Sequence, residues 1–185
     1  MTYLFRKIFK FIFWIKGWKV HPNRPDVKKA VIIVLGHTSN WDFINGSVVG
    51  DFFKMDIKFT IKQSWVKFPL KNAMLNMGAF PIKRGLKENF VQQVVRKYNE
   101  SESFYLSITP EATRKANAGW KTGFYHIAKG ANVPLILGFI DYDKKVAGFG
   151  PCINVRDSYE ETLKEMIEFY KTINPKYPEN FLFPV

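Results

Sequence analysis

The chain has 185 residues, of which 46% are hydrophobic, which suits one well-filled domain and is too little for two. Its single cysteine, Cys152, excludes an internal disulfide and fits a reducing compartment. The formal net charge of +12 predicts an anionic partner, for which a nucleic acid, an anionic lipid and a phosphorylated substrate all qualify. The aromatic content of 17%, with 18 Phe, favours a protein that handles acyl chains or contacts a bilayer over a nucleic-acid binder. No metal site is expected, because the 3 histidines are scattered and the cysteine stands alone.

The first segment, residues 3–18, is basic and aromatic and is predicted to form an amphipathic helix. Its longest uninterrupted apolar run, residues 11–15, is far shorter than the ~20 residues of a spanning helix, and no cleavage site of a signal peptide follows it. On a helical wheel, cations occupy one side and apolar side chains much of the rest: Arg6, Lys7 and Lys10 against Leu4, Phe5, Ile8, Phe11, Ile12 and Ile15. This pattern favours a membrane-interface helix over 1–20, ahead of a separate domain over 21–185. A buried first helix with a solvated basic edge is the alternative.

After a basic linker over residues 21–29, apolar runs alternate with helical patterns. Strands are predicted at 30–35, 57–61, 79–82, 104–109 and 133–140, and at 146–149 with 152–155. Helices are predicted through 91–98, through 120–129 with Gly130 as the stop, and through 163–170 after a capping box at Ser158 and Glu161. The alternation predicts a single layered α/β domain with a mixed, mostly parallel sheet flanked by helices. The last residues, 175–185, are expected to pack on the domain as a tail.

The most informative segment is residues 36–42, Gly-His-Thr-Ser-Asn-Trp-Asp, directly after the first predicted core strand. A carboxylate can hold one nitrogen of a histidine as a donor and leave the other free to take a proton. On an unbroken helix, five steps would turn Asp42 by about 140° from His37, so the two could not meet. They can meet if His37 lies in a turn before a helix that starts near Ser39 or Asn40, both good N-caps. The segment therefore predicts a strand–turn–helix junction with a His–Asp pair.

Two further strand ends carry adjacent cations, in residues 78–85 and residues 108–115. Because sites in such sheets gather where strands end in loops, these cations are expected near the His–Asp pair. The planar guanidinium of Arg84 or Arg114 is suited to phosphate oxygens. A solvated turn is the other interpretation of each pair.

Taken in order, four segments resemble the glycerolipid acyltransferases of the lysophosphatidic acid acyltransferase type. Residues 37–42 are similar to that family's His-x4-Asp block, and residues 78–84 to its Gly-x-x-x-Ile-x-Arg block. Residues 109–114 are similar to Phe-Pro-Glu-Gly-Thr-Arg, and residues 133–137 to the Val-Pro block. The Trp-Lys-Thr-Gly-Phe-Tyr run at 120–125 is similar to short bacterial members.

The resemblance implies an acyltransferase similar to 1-acylglycerol-3-phosphate O-acyltransferase, with His37 as general base and Asp42 as the carboxylate that orients it. It implies that Arg84 holds the acceptor's phosphate or polar head, and the adjacent cation Lys83 is a further candidate for substrate binding. Glu111, Thr113 and Arg114 fall on the third block, which the family also uses for acceptor binding. The co-substrate would be acyl-CoA or acyl-carrier protein, with no other cofactor.

Lys121 is a candidate for binding the phosphates of the donor; the alternative is a solvated cation on a helix.

The sequence departs from the family pattern at two places. Ala112 replaces the usual Gly of the third block, so that turn is not expected to need a positive φ. Leu137 and Gly138 replace the usual Pro region of the fourth block.

The expected partners are an anionic membrane surface, the acyl thioester and a lysophospholipid-like acceptor, with no nucleic acid. The expected location is the cytoplasmic face of the inner membrane, as a peripheral protein involved in phospholipid biosynthesis. A non-phosphate acceptor such as a lyso-aminolipid stays open. A non-catalytic basic protein that binds anionic membrane is the rival from another class, and it leaves the His–Asp spacing unexplained.

Overall fold

The computed structural model describes residues 3–62, 71–82 and 89–184. The elements, in chain order, are α1 (Tyr3–Ile15), β1 (Lys19–Val20), β2 (Lys29–Val34), α2 (Trp41–Phe52), β3 (Ile57–Lys62), α3 (Lys71–Asn76), β4 (Ala79–Ile82), α4 (Phe90–Glu100), β5 (Phe104–Ile108), α5 (Gly123–Ala131), β6 (Leu135–Asp141), β7 (Val146–Ile153) and α6 (Tyr159–Tyr170), followed by a 3₁₀ turn at Pro178–Asn180.

The described strands form one sheet of 7 strands in the order β1-β7-β6-β2-β5-β3-β4. Neighbouring strands run parallel except for β6 and β7, which are antiparallel. Because β2 lies in the middle and is covered on both faces, it needs a continuous apolar run rather than an alternating one. The predicted fold, a single α/β domain with a mixed, mostly parallel sheet flanked by helices, is confirmed.

The hydrophobic core lies on both faces of the sheet, and β2 contributes alternate side chains to each. Val31 and Ile33 pack with residues of α4, α5 and α6, including the buried Tyr98 and Met166. Ala30 and Ile32 face the opposite side, where α1 and α2 cover the sheet. The carboxyl end of β2 is therefore fixed from both faces, which gives the residues that follow it a rigid support.

Helix α1 packs on α2 and leaves an apolar face in solvent. Phe13 is fully buried in the core, and Arg6 and Lys10 form ion pairs with Asp51 of α2 at 2.8 and 2.5 Å. Two of the three cations assigned to the basic side thus face the protein. Among the side chains of α1 whose exposure the structure describes, the exposed apolar ones are Ile8, Phe11, Trp14 and Ile15. Among the described residues, none of the helices is long and apolar enough to cross a membrane.

The strand predictions hold to within two residues at each start, but the predicted break in β7 and the bounds of α5 are wrong. Strand β7 runs unbroken through Val146–Ile153 beside β6. Helix α5 begins at Gly123 rather than at residue 120, and it ends at Ala131, where the C-cap residue Asn132 adopts the left-handed conformation with φ +50°. Gly130 lies inside the helix, where a Cβ would come within 3.1 Å of Val95. It permits close packing of α4 on α5 instead of stopping the helix.

Candidate active site

The segment after β2 has the predicted strand–turn–helix form. Gly36 adopts φ +71°, and a Cβ there would lie 3.0 Å from the Cβ of Pro175, so both conformation and space favour glycine. The chain then turns through His37 and enters α2 at Trp41, with Asn40 at the N-cap position. The Ser39 hydroxyl accepts a hydrogen bond from the Trp41 N–H at 3.2 Å. The turn therefore places His37 just ahead of the first turn of α2.

His37 and Asp42 meet in this turn, as their spacing predicts. The Nδ1 atom of His37 lies 3.1 Å from Oδ2 of Asp42. The Asp42 side chain is 3% exposed, whereas that of His37 is 22% exposed. A carboxylate beside Nδ1 favours the neutral tautomer that carries its proton on that nitrogen, which leaves Nε2 as the lone-pair nitrogen. The arrangement can accept a proton from a group that approaches Nε2.

Asp42 accepts two hydrogen bonds besides its contact with His37. The Ser39 N–H donates to Oδ2 at 2.9 Å, and the Tyr142 hydroxyl donates to Oδ1 at 2.5 Å. A buried carboxylate needs such partners, because an unpaired buried charge costs several kcal/mol. Both oxygens of the Asp42 carboxylate are thereby engaged.

Glu111 lies beneath the same turn. Strands β2 and β5 are parallel with Ile33 opposite Ile108, so Gly36 and Glu111, each three residues further on, are neighbours. Oε1 of Glu111 accepts a hydrogen bond from the Gly36 N–H at 2.7 Å, and Oε2 has no hydrogen-bond partner in the described part of the chain. Burial raises the pKa of the Glu111 carboxyl above its ordinary value, and the bond from Gly36 offsets part of that shift.

The turn after Glu111 corrects one expectation from the sequence. Ala112 adopts φ +52°, so the expectation of a negative φ in this turn is wrong. The Asn117 side chain donates to the Glu111 carbonyl at 3.1 Å, and the Lys121 N–H donates to the Pro110 carbonyl at 2.8 Å. These bonds hold the turn in a conformation that costs an alanine about 1–2 kcal/mol.

The candidate substrate-binding residues divide into three groups. Thr113, Arg114 and Lys121 are exposed on the loop between β5 and α5, which leaves the sheet at the same edge as His37. Glu111 is buried under the turn and is not exposed as they are. Lys83 and Arg84 lie outside the described residues.

Sequence reasoning missed Tyr142 and two lysines near Trp41. Tyr142 directly follows β6, which runs parallel to β2, so the rule that sites gather at carboxyl ends of strands could have found it. The Nζ atoms of Lys16 and Lys176 lie 3.8 and 5.7 Å from the centroid of a Trp41 ring. Lys16 follows α1, so the end of that helix lies beside the residue that precedes Asp42.

In the described ranges, no three His, Cys, Asp or Glu side chains converge as metal ligands would.

A histidine held by a buried carboxylate, at the carboxyl edge of a mostly parallel sheet, is typical of α/β enzymes that move a proton on a bound substrate. The acyltransferase family model matches residues 18–137, more than half of the chain, and the chain belongs to that family. The match covers β1 to the middle of β6 and ends before Tyr142. Among curated proteins, no relative matches this chain.

Proposed function

We propose that this acyltransferase moves a fatty acyl chain from acyl-CoA or acyl-carrier protein to the hydroxyl of a lysophospholipid-type acceptor. The observation that carries the proposal is the His37–Asp42 contact of 3.1 Å within a domain of the acyltransferase family. The finer assignment, resembling 1-acylglycerol-3-phosphate O-acyltransferase, rests on the order of the four sequence blocks.

In the proposed reaction, His37 is the general base. Nε2 takes the proton of the acceptor hydroxyl as its oxygen attacks the thioester carbonyl, so that a C–O bond forms. The C–S bond then breaks, and the leaving sulfur takes the proton from His37, so that CoA or the carrier protein is released as a free thiol. Asp42 stabilises the imidazolium between the two transfers, and general base catalysis of this kind contributes about 10²–10⁴-fold.

The cations at the carboxyl edge of the sheet are the proposed site for the acceptor's phosphate. Arg114 is exposed on the loop after β5, and Thr113 next to it offers a hydroxyl. Lys83 and Arg84 are proposed to complete this site, and Lys121 to meet the phosphates of the donor. Arginine suits phosphate because its planar group donates two parallel hydrogen bonds. A lyso-aminolipid acceptor would need no such partner.

A membrane position is proposed on separate grounds. The exposed apolar face of α1 and the net charge of +12 together fit an anionic bilayer surface. The contact of Lys16 with Trp41 places the end of α1 next to the His–Asp turn. The protein would thus draw its acceptor from the membrane on which it lies, as a peripheral protein of the cytoplasmic face.

The test compares His37→Ala with His126→Ala, a control on the exposed surface of α5. Purified protein is mixed with acyl-CoA or acyl-carrier protein and a lysophospholipid, and both thiol release and the diacyl product are measured. Loss of both signals is expected in His37→Ala, with neither changed in His126→Ala. Full activity of His37→Ala contradicts the base assignment.

A second panel with a lyso-aminolipid in place of the lysophospholipid decides between the two acceptors. A wild-type protein that releases no thiol with any acceptor, yet binds anionic vesicles, supports the non-catalytic alternative instead.

A further inference from the structure

We propose that Tyr142 is a positioning residue, whose hydroxyl fixes the orientation of the Asp42 carboxylate and, through it, the ring of His37. The inference rests on the proposed function, because it assigns a residue to the same proton-transfer site. It concerns a position outside the span that the family model matches, which ends at residue 137.

The first support is that the two carboxylate oxygens of Asp42 have different partners. Oδ2 accepts from the Ser39 N–H at 2.9 Å and faces Nδ1 of His37 at 3.1 Å. Oδ1 accepts from the Tyr142 hydroxyl at 2.5 Å, and no other donor to it is found among the described residues. With Tyr142 in place, a rotation of the carboxylate would break a short hydrogen bond inside the protein. Without it, Oδ1 loses its donor, and the orientation of the carboxylate toward His37 depends on the Ser39 N–H alone.

The second support is that Tyr142 is itself fixed. Its N–H donates to the carbonyl of Asn174 at 2.9 Å, and its ring meets that of Trp18 edge to face, with centroids 4.9 Å apart. Trp18 is buried with Phe13 of α1 in the core. The hydroxyl therefore reaches Asp42 from a rigid base rather than from a loose loop.

The third support is the protonation state of the phenol. Burial, together with the hydrogen bond to Asp42, raises the pKa of Tyr142 far above its ordinary value. The group thus stays a donor at every pH at which histidine works as a base. The hydroxyl donates to Asp42, and a hydrogen bond with the Ser39 side chain offsets part of the rise in the pKa of Tyr142.

The competing interpretation is that Tyr142 serves only to pack against Trp18. The substitution Tyr142→Phe separates the two, because it keeps the ring and removes the hydroxyl. A matched control is Tyr105→Phe, since the Tyr105 hydroxyl also makes a hydrogen bond of 2.5 Å, there to the carbonyl of Val27. Both variants lose one phenol hydroxyl from a partly buried tyrosine.

The experiment uses the full chain and two readouts. Steady-state kinetics with an acyl thioester and a lysophospholipid should show kcat of Tyr142→Phe reduced about 10–100-fold, with KM within about two-fold of wild type, because the base is misplaced and substrate binding is not. Nitrogen-15 NMR of the His37 ring should show mostly the Nδ1–H tautomer in wild type and a reduced share of it in Tyr142→Phe. Tyr105→Phe should change neither quantity.

Unchanged kcat together with an unchanged His37 tautomer in Tyr142→Phe overturns the proposal. An equal loss of kcat in both variants also overturns it, because loss of any buried hydroxyl would then explain the effect. The NMR readout needs no activity. A wild-type protein that is inactive with every thioester, but whose His37 tautomer depends on Tyr142, refutes the acyl-transfer proposal and supports the positioning role.

Discussion

Glu111 accepts a hydrogen bond from the backbone N–H of Gly36 at 2.7 Å, and this bond joins the turn after β5 to the residue that precedes His37. The family resemblance implies an acceptor-binding role for Glu111, which stays a prediction. The contact indicates a further role, in which a buried side chain holds the backbone beneath the base.

The substitution Glu111→Ala tests that role. It removes the acceptor of the Gly36 N–H, and a backbone group left without its partner away from water costs about 1–3 kcal/mol. We expect a lower free energy of unfolding and, because His37 loses its support, kcat reduced about 100-fold. Glu102→Ala, at an exposed position before β5, should change neither. A normal kcat in folded Glu111→Ala would show that the bond does not position the base.

The pH dependence of stability gives a separate test, with Glu111→Gln. Burial raises the pKa of Glu111, so the folded state holds its proton more tightly than the unfolded state. The contribution of Glu111 to stability is thus largest below the ordinary pKa and falls as pH rises through the folded-state pKa. Glutamine does not titrate, so Glu111→Gln does not lose this contribution. The free energy of unfolding of Glu111→Gln should therefore rise relative to that of wild type as the pH is raised from about 4 to about 8. Urea denaturation over this range measures the difference, and parallel curves for the two proteins would contradict the raised pKa.

Substitution of Gly36 is expected to reduce stability more strongly, because its φ of +71° and the Pro175 Cβ at 3.0 Å from a built Cβ both oppose a side chain. Gly36→Ala should lower the free energy of unfolding by about 2–4 kcal/mol, from the left-handed backbone together with overpacking. Gly46→Ala is the matched control in α2, because a Cβ there meets nothing within 4 Å. That variant should be more stable than wild type by about 0.5–1 kcal/mol. Denaturant titration of both variants checks the pair, and equal effects would contradict the steric argument.

At Ala112, by contrast, substitution by glycine is expected to stabilise the protein. Its φ of +52° costs an alanine about 1–2 kcal/mol, whereas glycine adopts it freely at an entropic cost of about 0.5–1 kcal/mol. Ala112→Gly should therefore raise the free energy of unfolding by about 0.5–1 kcal/mol. Ala116→Gly, in the same exposed loop but without a positive φ, should lower it by a similar amount. A thermal melt of the two variants measures both signs, and destabilisation of Ala112→Gly would contradict the reasoning.

These positions also show how far sequence reasoning reaches. The strand–turn–helix junction at His37 follows from local chemistry, because a five-residue spacing allows the contact with Asp42 in few other ways. The alternation of apolar runs and helical patterns likewise predicts a mostly parallel sheet. What the sequence does not show is set by distant partners. The positive φ of Ala112 is held by hydrogen bonds from Asn117 and Lys121, and Gly130 is required by Val95 on another helix. The bond from Tyr142 to Asp42 joins residues 100 apart in the chain.

The membrane proposal is best tested on the exposed face of α1. Truncation of the helix would remove Phe13 from the core and confuse folding with binding. The double substitution Phe11→Ser and Ile15→Ser avoids this, because these side chains are 66% and 69% exposed. Vesicle affinity should fall about 10–100-fold, since complete burial of each such side chain contributes about 1.5–3 kcal/mol and an interfacial helix immerses one face.

The readout is co-sedimentation with vesicles of phosphatidylcholine and phosphatidylglycerol, alongside a thermal melt that should match wild type. Leu182→Ser is the control, because Leu182 is 48% exposed in the C-terminal tail, away from α1 in the chain. It should bind vesicles as wild type does. If the double variant also binds as wild type does, α1 is not the membrane-contacting surface, and the remaining attraction comes from the positive charge, which added salt would then abolish.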